Sequence, residues 1–115
     1  MGDRALVQFV SGDNKEVSPV VYIHWAGSKV KEYLKELAVL MADRPNDASY
    51  ACARFIGIVH SYDSTSNLSL GVWNKSDILT QADTHGDAGC FVVDCSTWRV
   101  KCTGGYGRSF KAAKE

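Results

Sequence analysis

The residues best able to do chemistry here are three histidines, four cysteines and a short run of aspartates. His24, His60 and His85 are scattered. No serine, cysteine or carboxylate stands beside any of them in a recognised catalytic arrangement. Triads assemble across distant sequence, so a small hydrolase of unrecognised kind stands as an alternative function. Asp83, His85 and Asp87 alternate as the oxygen ligands of a calcium loop do. His85 is a poor ligand for a hard cation, however, and Ala88 stands where such a loop needs glycine. The reading is therefore no metal, with the aspartates bonding their own backbone. Gly104-Gly105-Tyr106-Gly107-Arg108 is glycine-rich but does not join a strand to a helix start, the context a phosphate loop requires. No cofactor signature is present.

Cys52, Cys90, Cys95 and Cys102 contain no Cys-x-x-Cys pair, which argues against zinc. Residues 89–103 read as a hairpin whose apolar residues match best with Phe91 opposite Val100 and Val93 opposite Trp98. Cys90 and Cys102 then lie on opposite faces, and four thiols are expected.

The elements that must position these groups follow from periodicity. Residues 4–10 alternate as a strand, and the β-branched and aromatic run 20–25 reads as a second, paired antiparallel to the first. Ser28 is the expected cap of a helix in which Val30, Tyr33, Leu34, Leu37, Leu40 and Met41 fall at helical spacing, ending at Arg44-Pro45. Asp47 caps a second helix that is apolar nearly all round and is expected to be central, with Gly57 marking a close contact. Residues 68–74 form a third strand, 76–82 form one helical turn or two, and 90–95 and 98–103 form the last two strands. The order ββααβ(α)ββ groups its strands. It predicts an α+β fold: an antiparallel or mixed five-stranded sheet with two helices packed on one face. Residues 1–104 form the domain and 105–115 a flexible basic tail.

Formal net charge is zero, so the overall field selects no partner. The distribution is uneven. Residues 41–94 carry Arg44, Arg54 and Lys75 against seven acids, whereas residues 95–115 carry Arg99, Lys101, Arg108, Lys111 and Lys114 against Glu115. The N-terminal residues show no secretory pattern and no stretch reaches membrane-span length, so a cytoplasmic protein with no membrane association is expected.

The sheet face away from the helices carries the functional expectation. With Ala5, Val7, Phe9, Val21, Ile23, Trp25, Leu68, Leu70 and Val72 inward, the opposite face shows Arg4, Leu6, Gln8, Val20, Tyr22, His24, Ser69, Gly71 and Trp73. Arg99 and Lys101 join it from the last strand. That face is too apolar and aromatic for solvation alone. Tyr22, His24 and Trp73 are the expected anchors, with Arg4, Arg99 and Lys101 as a charged rim. The partner is a host protein or complex. Nucleic acid, stacking on the rings, is a further possibility, as is a homodimer, or cover by a loop or the tail. An alternative is a small-ligand or nucleotide-signal sequestering protein with a pocket at Trp25, Arg54 and His85.

Several segments together resemble a family of small proteins of bacteria and their mobile elements, phages included. They are Gly2-Asp3-Arg4-Ala5, Tyr22-Ile23-His24-Trp25-Ala26-Gly27, Leu68-Ser69-Leu70-Gly71, the run from Gly86 to Asp94, and Trp98. The likeness spans nearly the whole chain, while the additional cysteines and the glycine-rich tail depart from it. The resemblance brings no activity, cofactor or site residue. It implies an accessory role, and phage proteins of this size often act by binding and blocking a host defence component. The expectation is a non-enzymatic binding protein of that kind.

Overall fold

The computed structural model describes residues 3–11, 16–25, 27–62, 70–80, 83 and 87–104. The strands are β1 (Ala5–Val10), β2 (Val20–Ile23), β3 (Leu70–Trp73), β4 (Gly89–Asp94) and β5 (Arg99–Thr103); the helices are α1 (Val30–Leu40) and α2 (Ala48–Tyr62). The sheet runs β3-β2-β1-β4-β5, parallel between β1 and β4 and antiparallel at every other pairing. It is the mixed five-stranded α+β sheet that the order of elements predicts.

Both helices lie on one face. Val30, Tyr33, Leu34 and Leu37 of α1, and Ala51, Cys52, Phe55, Ile58 and Val59 of α2, form one core with Ala5, Val7, Phe9, Val21, Ile23, Phe91, Val93 and Val100. The Phe55 ring meets Phe9 edge-on at 5.5 Å and Tyr33 at 6.4 Å, the geometry that aromatic quadrupoles favour. Asp47 caps α2 as expected, accepting from the Tyr50 N–H at 3.1 Å. Ser28 does not cap α1. A 3-10 turn, Gly27–Lys29, precedes that helix, and the Asp3 carboxylate accepts from the Ser28 N–H and hydroxyl instead. α2 is not apolar all round in effect. Its outer face is solvated, Gly57 is exposed, and a methyl group there would meet nothing within 4 Å. The close approach falls at Gly27, whose N–H donates to the Asp3 carbonyl at 2.7 Å. A Cβ at Gly27 would lie 2.6 Å from that oxygen and 2.8 Å from the Ala88 Cβ.

The second face is not open. All six residues of β1 are buried, so both its sides are covered. The chain after β3 crosses this face and buries Leu79 against Leu6, Val20 and Cys90. Residues 76–80 do so without forming the helical turn expected of them. Their anchor is Gln8, a fully buried polar side chain in the middle of β1. Its Nε2 donates to the carbonyls of Ser18 (3.3 Å) and Asp77 (3.1 Å), and its Oε1 accepts from the Leu79 N–H at 2.9 Å. Ser18 completes the strand beside it. Pro19 brings no N–H to the ladder, and the Ser18 hydroxyl accepts from the Phe9 N–H at 2.9 Å.

The β4–β5 register differs by two residues from the one expected. Phe91 faces Cys102, Val93 faces Val100 and Asp94 faces Arg99. Turn chemistry decides this. The Asp94 carboxylate accepts from the Ser96 N–H and hydroxyl at 2.9 and 2.7 Å, and Trp98 closes the turn in the left-handed region at φ 57°. A shift of two preserves facing. Cys90 therefore does lie on the second face and Cys102 on the helix side, and all four cysteines are thiols.

Replacing Gln8 by Leu leaves the Leu79 N–H and two carbonyls without their partner. It should cost about 2–3 kcal/mol in urea unfolding; a loss under about 0.5 kcal/mol would show that the amide does not hold the crossing segment. The two glycines should behave oppositely. Gly57→Ala gains about 1 kcal/mol from helix propensity alone, and Gly27→Ala loses about 1–3 kcal/mol through the backbone shift it forces.

Candidate functional site

The Tyr22 and Trp73 rings lie at the β2–β3 end of the second face, and the His24 and Trp25 rings continue from them past the end of β2. Register places Tyr22 beside Gly71 and Val20 beside Trp73, so Tyr22 and Trp73 share that face, their centroids 6.1 Å apart. Two residues on, the Tyr22 hydroxyl and His24 Nδ1 are hydrogen-bonded at 2.5 Å, with rings 5.8 Å apart. His24 meets Trp25 edge-on at 4.4 Å. The outcome is a continuous strip, Trp73–Tyr22–His24–Trp25, with a tryptophan at each end. Trp25 is 54% exposed and Trp73 43%.

Trp25 was expected to point inward. β2 ends at Ile23 and the chain bends at His24–Trp25, so strand alternation stops and Trp25 turns out to solvent. Val72, also expected inward, has the facing of Val21 but lies on the edge strand and is 52% exposed.

Arg4 stands beside this strip. Ala5 pairs with Ile23 and Leu6 with Tyr22, and Arg4, just before this ladder, is close enough to Tyr22 for the charge of Tyr22 to act on the guanidinium. Its guanidinium is held by Asp87: Nε to Oδ2 at 2.6 Å, with the Arg4 N–H donating to the same oxygen at 3.1 Å. The hydrogen bond to Asp87 raises the guanidinium pKa above its ordinary value, against the opposing effect of burial, with the charges of Asp87 and Tyr22 adding to the rise. The Ala88 N–H donates to the Arg4 carbonyl at 2.8 Å, so the ion pair clamps the start of β4 onto β1. Sequence reading missed Asp87 as the partner because the two residues are 83 positions apart and only the parallel pairing unites them.

The other expected rim residues are elsewhere. Arg99 and Lys101 share the face but sit on β5, with β1 and β4 between them and the strip. The rim is therefore two separate groups divided by the crossing segment. Arg54 and Trp25 do not meet as a pocket either. Trp25 precedes the N-terminal end of α1, whereas Arg54 serves its C-terminal end. Arg54 donates to the Leu40 carbonyl and to the Tyr50 hydroxyl (3.0 Å), pairs with Asp43 at 3.3 Å, and lies 4.3 Å over the Tyr50 ring. These contacts finish a helix end. His85 lies outside the described residues, as do Leu68, Ser69 and the tail 105–115.

Chemically, the strip offers apolar rings with one imidazole and one guanidinium at their border. The aspartates of the loop before β4 are occupied: Asp87 by Arg4, and Asp83 by the Thr80 N–H at 2.8 Å and by Lys75 at 3.8 Å. Cys52 and Cys95 are buried thiols rather than nucleophiles. Burial pushes both pKa values up, that of Cys95 to about 12 with the charge of Asp94 adding. Both should resist a thiol reagent at pH 8 until the chain unfolds; modification at the rate of a small-molecule thiol would contradict their burial. Because the folded state holds the Cys95 proton more tightly than the unfolded chain does, stability should fall as pH rises from about 9 to about 12. Cys95→Ala should flatten that slope in thermal melts. Set against known proteins, the chain matches no family model, no curated protein and no solved structure.

Proposed function

We propose that this chain is a non-enzymatic binding protein that holds a partner through the Trp73–Tyr22–His24–Trp25 strip, with Arg4 at its border. One observation carries the reading. Two tryptophans, each about half exposed, are joined through Tyr22 and His24 into one continuous row of rings that starts on β3 and ends just past β2. Tryptophan, tyrosine and arginine dominate the energetics of protein interfaces because they bury much area for few rotatable bonds. The Tyr22–His24 hydrogen bond and the Arg4–Asp87 pair fix the polar atoms of this surface before any partner arrives, which lowers the ordering cost of association.

The partner sought first is a host protein or complex, such as a component of a defence system, in the cytoplasm of the host cell. This follows the likeness to small proteins of bacteria and phages. Among the described residues no helix is long and apolar enough to cross a membrane.

The test is native mass spectrometry of the protein after incubation with host lysate, alongside the Trp25→Ala/Trp73→Ala double variant. Both positions are exposed, so the variant should unfold at the wild-type denaturant midpoint within about 0.5 kcal/mol. A host protein carried by the wild type should be lost from the variant, with affinity falling about 1,000-fold for two anchors of roughly 2 kcal/mol each. An adduct that survives in the folded double variant would place the binding surface elsewhere.

A further inference from the structure

Among the described residues the two edges of the sheet are β3 and β5, and they differ in kind. β3 carries no charge between Leu70 and Trp73. β5 alternates. Arg99 and Lys101 are exposed on the second face, while Val100 is buried and Cys102 half-buried on the helix side, beside Trp98. Neither cation forms an ion pair among the described residues. Asp94, which faces Arg99 across the ladder, has its Oδ1 engaged by Ser96. The two cations line a groove of about 430 Å³ together with Val10, Ile78, Val92, Val100 and Asp94. It lies between β5 and the segment that crosses the second face.

An edge strand presents backbone N–H and C=O groups that an extended chain can pair with. The side chains of β5 decide which chain. A second copy of β5 laid antiparallel beside the first would bring Arg99 and Lys101 against like charges, which opposes self-pairing. A strand that alternates acidic and apolar residues satisfies both faces at once. Its acids lie beside Arg99 and Lys101, with their methylene stems toward the groove, and its apolar residues extend the row formed by Trp98, Val100 and Cys102. Nucleic acid fits less well. No aromatic ring lines the groove to stack a base, Asp94 stands within it, and phosphates cannot pair with a strand edge. We infer that the outer edge of β5 takes up an extended segment of a partner protein in which acidic and apolar residues alternate. This surface is separate from the aromatic strip and does not depend on it.

Fluorescence anisotropy with the full chain tests this, using a labelled octapeptide alternating glutamate and valine. The controls are a peptide of the same composition with its glutamates and valines in two blocks, and a labelled oligothymidylate. The alternating peptide should bind, and the block peptide should bind at least about tenfold more weakly, since net charge is equal and only facing differs. Arg99→Glu/Lys101→Glu should weaken the alternating peptide by about tenfold or more. Arg99→Gln/Lys101→Gln, which keeps the exposed positions polar, should weaken it by a smaller factor. Trp25→Ala/Trp73→Ala should leave it unchanged, which separates this surface from the strip. Equal binding of the block peptide or the oligothymidylate, or indifference to both Arg99/Lys101 variants, would overturn the inference.

Discussion

One amide side chain decides how this sheet is covered. Gln8 sits in the middle of the central strand, fully buried, and its three hydrogen bonds reach Ser18, Asp77 and Leu79. A leucine there would have left an apolar face with nothing to direct a polar segment across it. The amide supplies one donor and one acceptor to backbone groups of the crossing segment that would otherwise be buried without partners, and a second donor to the Ser18 carbonyl. With the segment held, Leu79 closes over Leu6, Val20 and Cys90, and the remainder of the second face is divided into an aromatic end and a cationic end. The core on the helix side depends on apolar packing, which many sequences could supply. The division of the second face depends on this one polar position.

Much of the architecture was legible in the sequence because facing is a local property. The period-two facing of strands 5–10 and 89–94, and helical spacing from Val30 to Leu37, gave each residue its correct side even where the β4–β5 register was wrong by two. What alternation does not contain is the identity of the covering layer. Gln8 is the available signal, a lone amide in an otherwise apolar central strand, but on its own it does not say which segment it holds. Trp25 and Val72 were misplaced for a related reason. One follows the end of its strand and the other lies on the edge, so the period-two rule no longer implies burial at either position.

The candidate site was legible to the same extent. Arg4, Tyr22, His24 and Trp73 were placed on one face because they occupy alternate positions on their strands, and the β1–β2 and β2–β3 pairings bring those strands together. Arg99 and Lys101 were given the right face and the wrong neighbourhood, since strand order across a mixed sheet depends on the parallel pairing of β1 with β4. That same pairing brings Asp87 to Arg4. The two edges consequently present opposite chemistries: uncharged and aromatic at β3, cationic and alternating at β5. A partner that reads one has little in common with a partner that reads the other.

The parallel pairing has a consequence for how the chain reaches its folded state. β1 precedes the other four strands of the sheet along the chain, yet its inner neighbour begins at Gly89, opposite Ala5, with about 80 residues of chain between them. β2, β3 and both helices can gather on one side of β1 through shorter connections, but the other side must wait for β4. Contacts of such wide sequence separation slow folding. During that delay the most completely buried strand of the molecule has one bare edge, and no charged residue lies within it. The interval before β4 docks, rather than the finished fold, is when this protein is most exposed to pairing with the wrong chain.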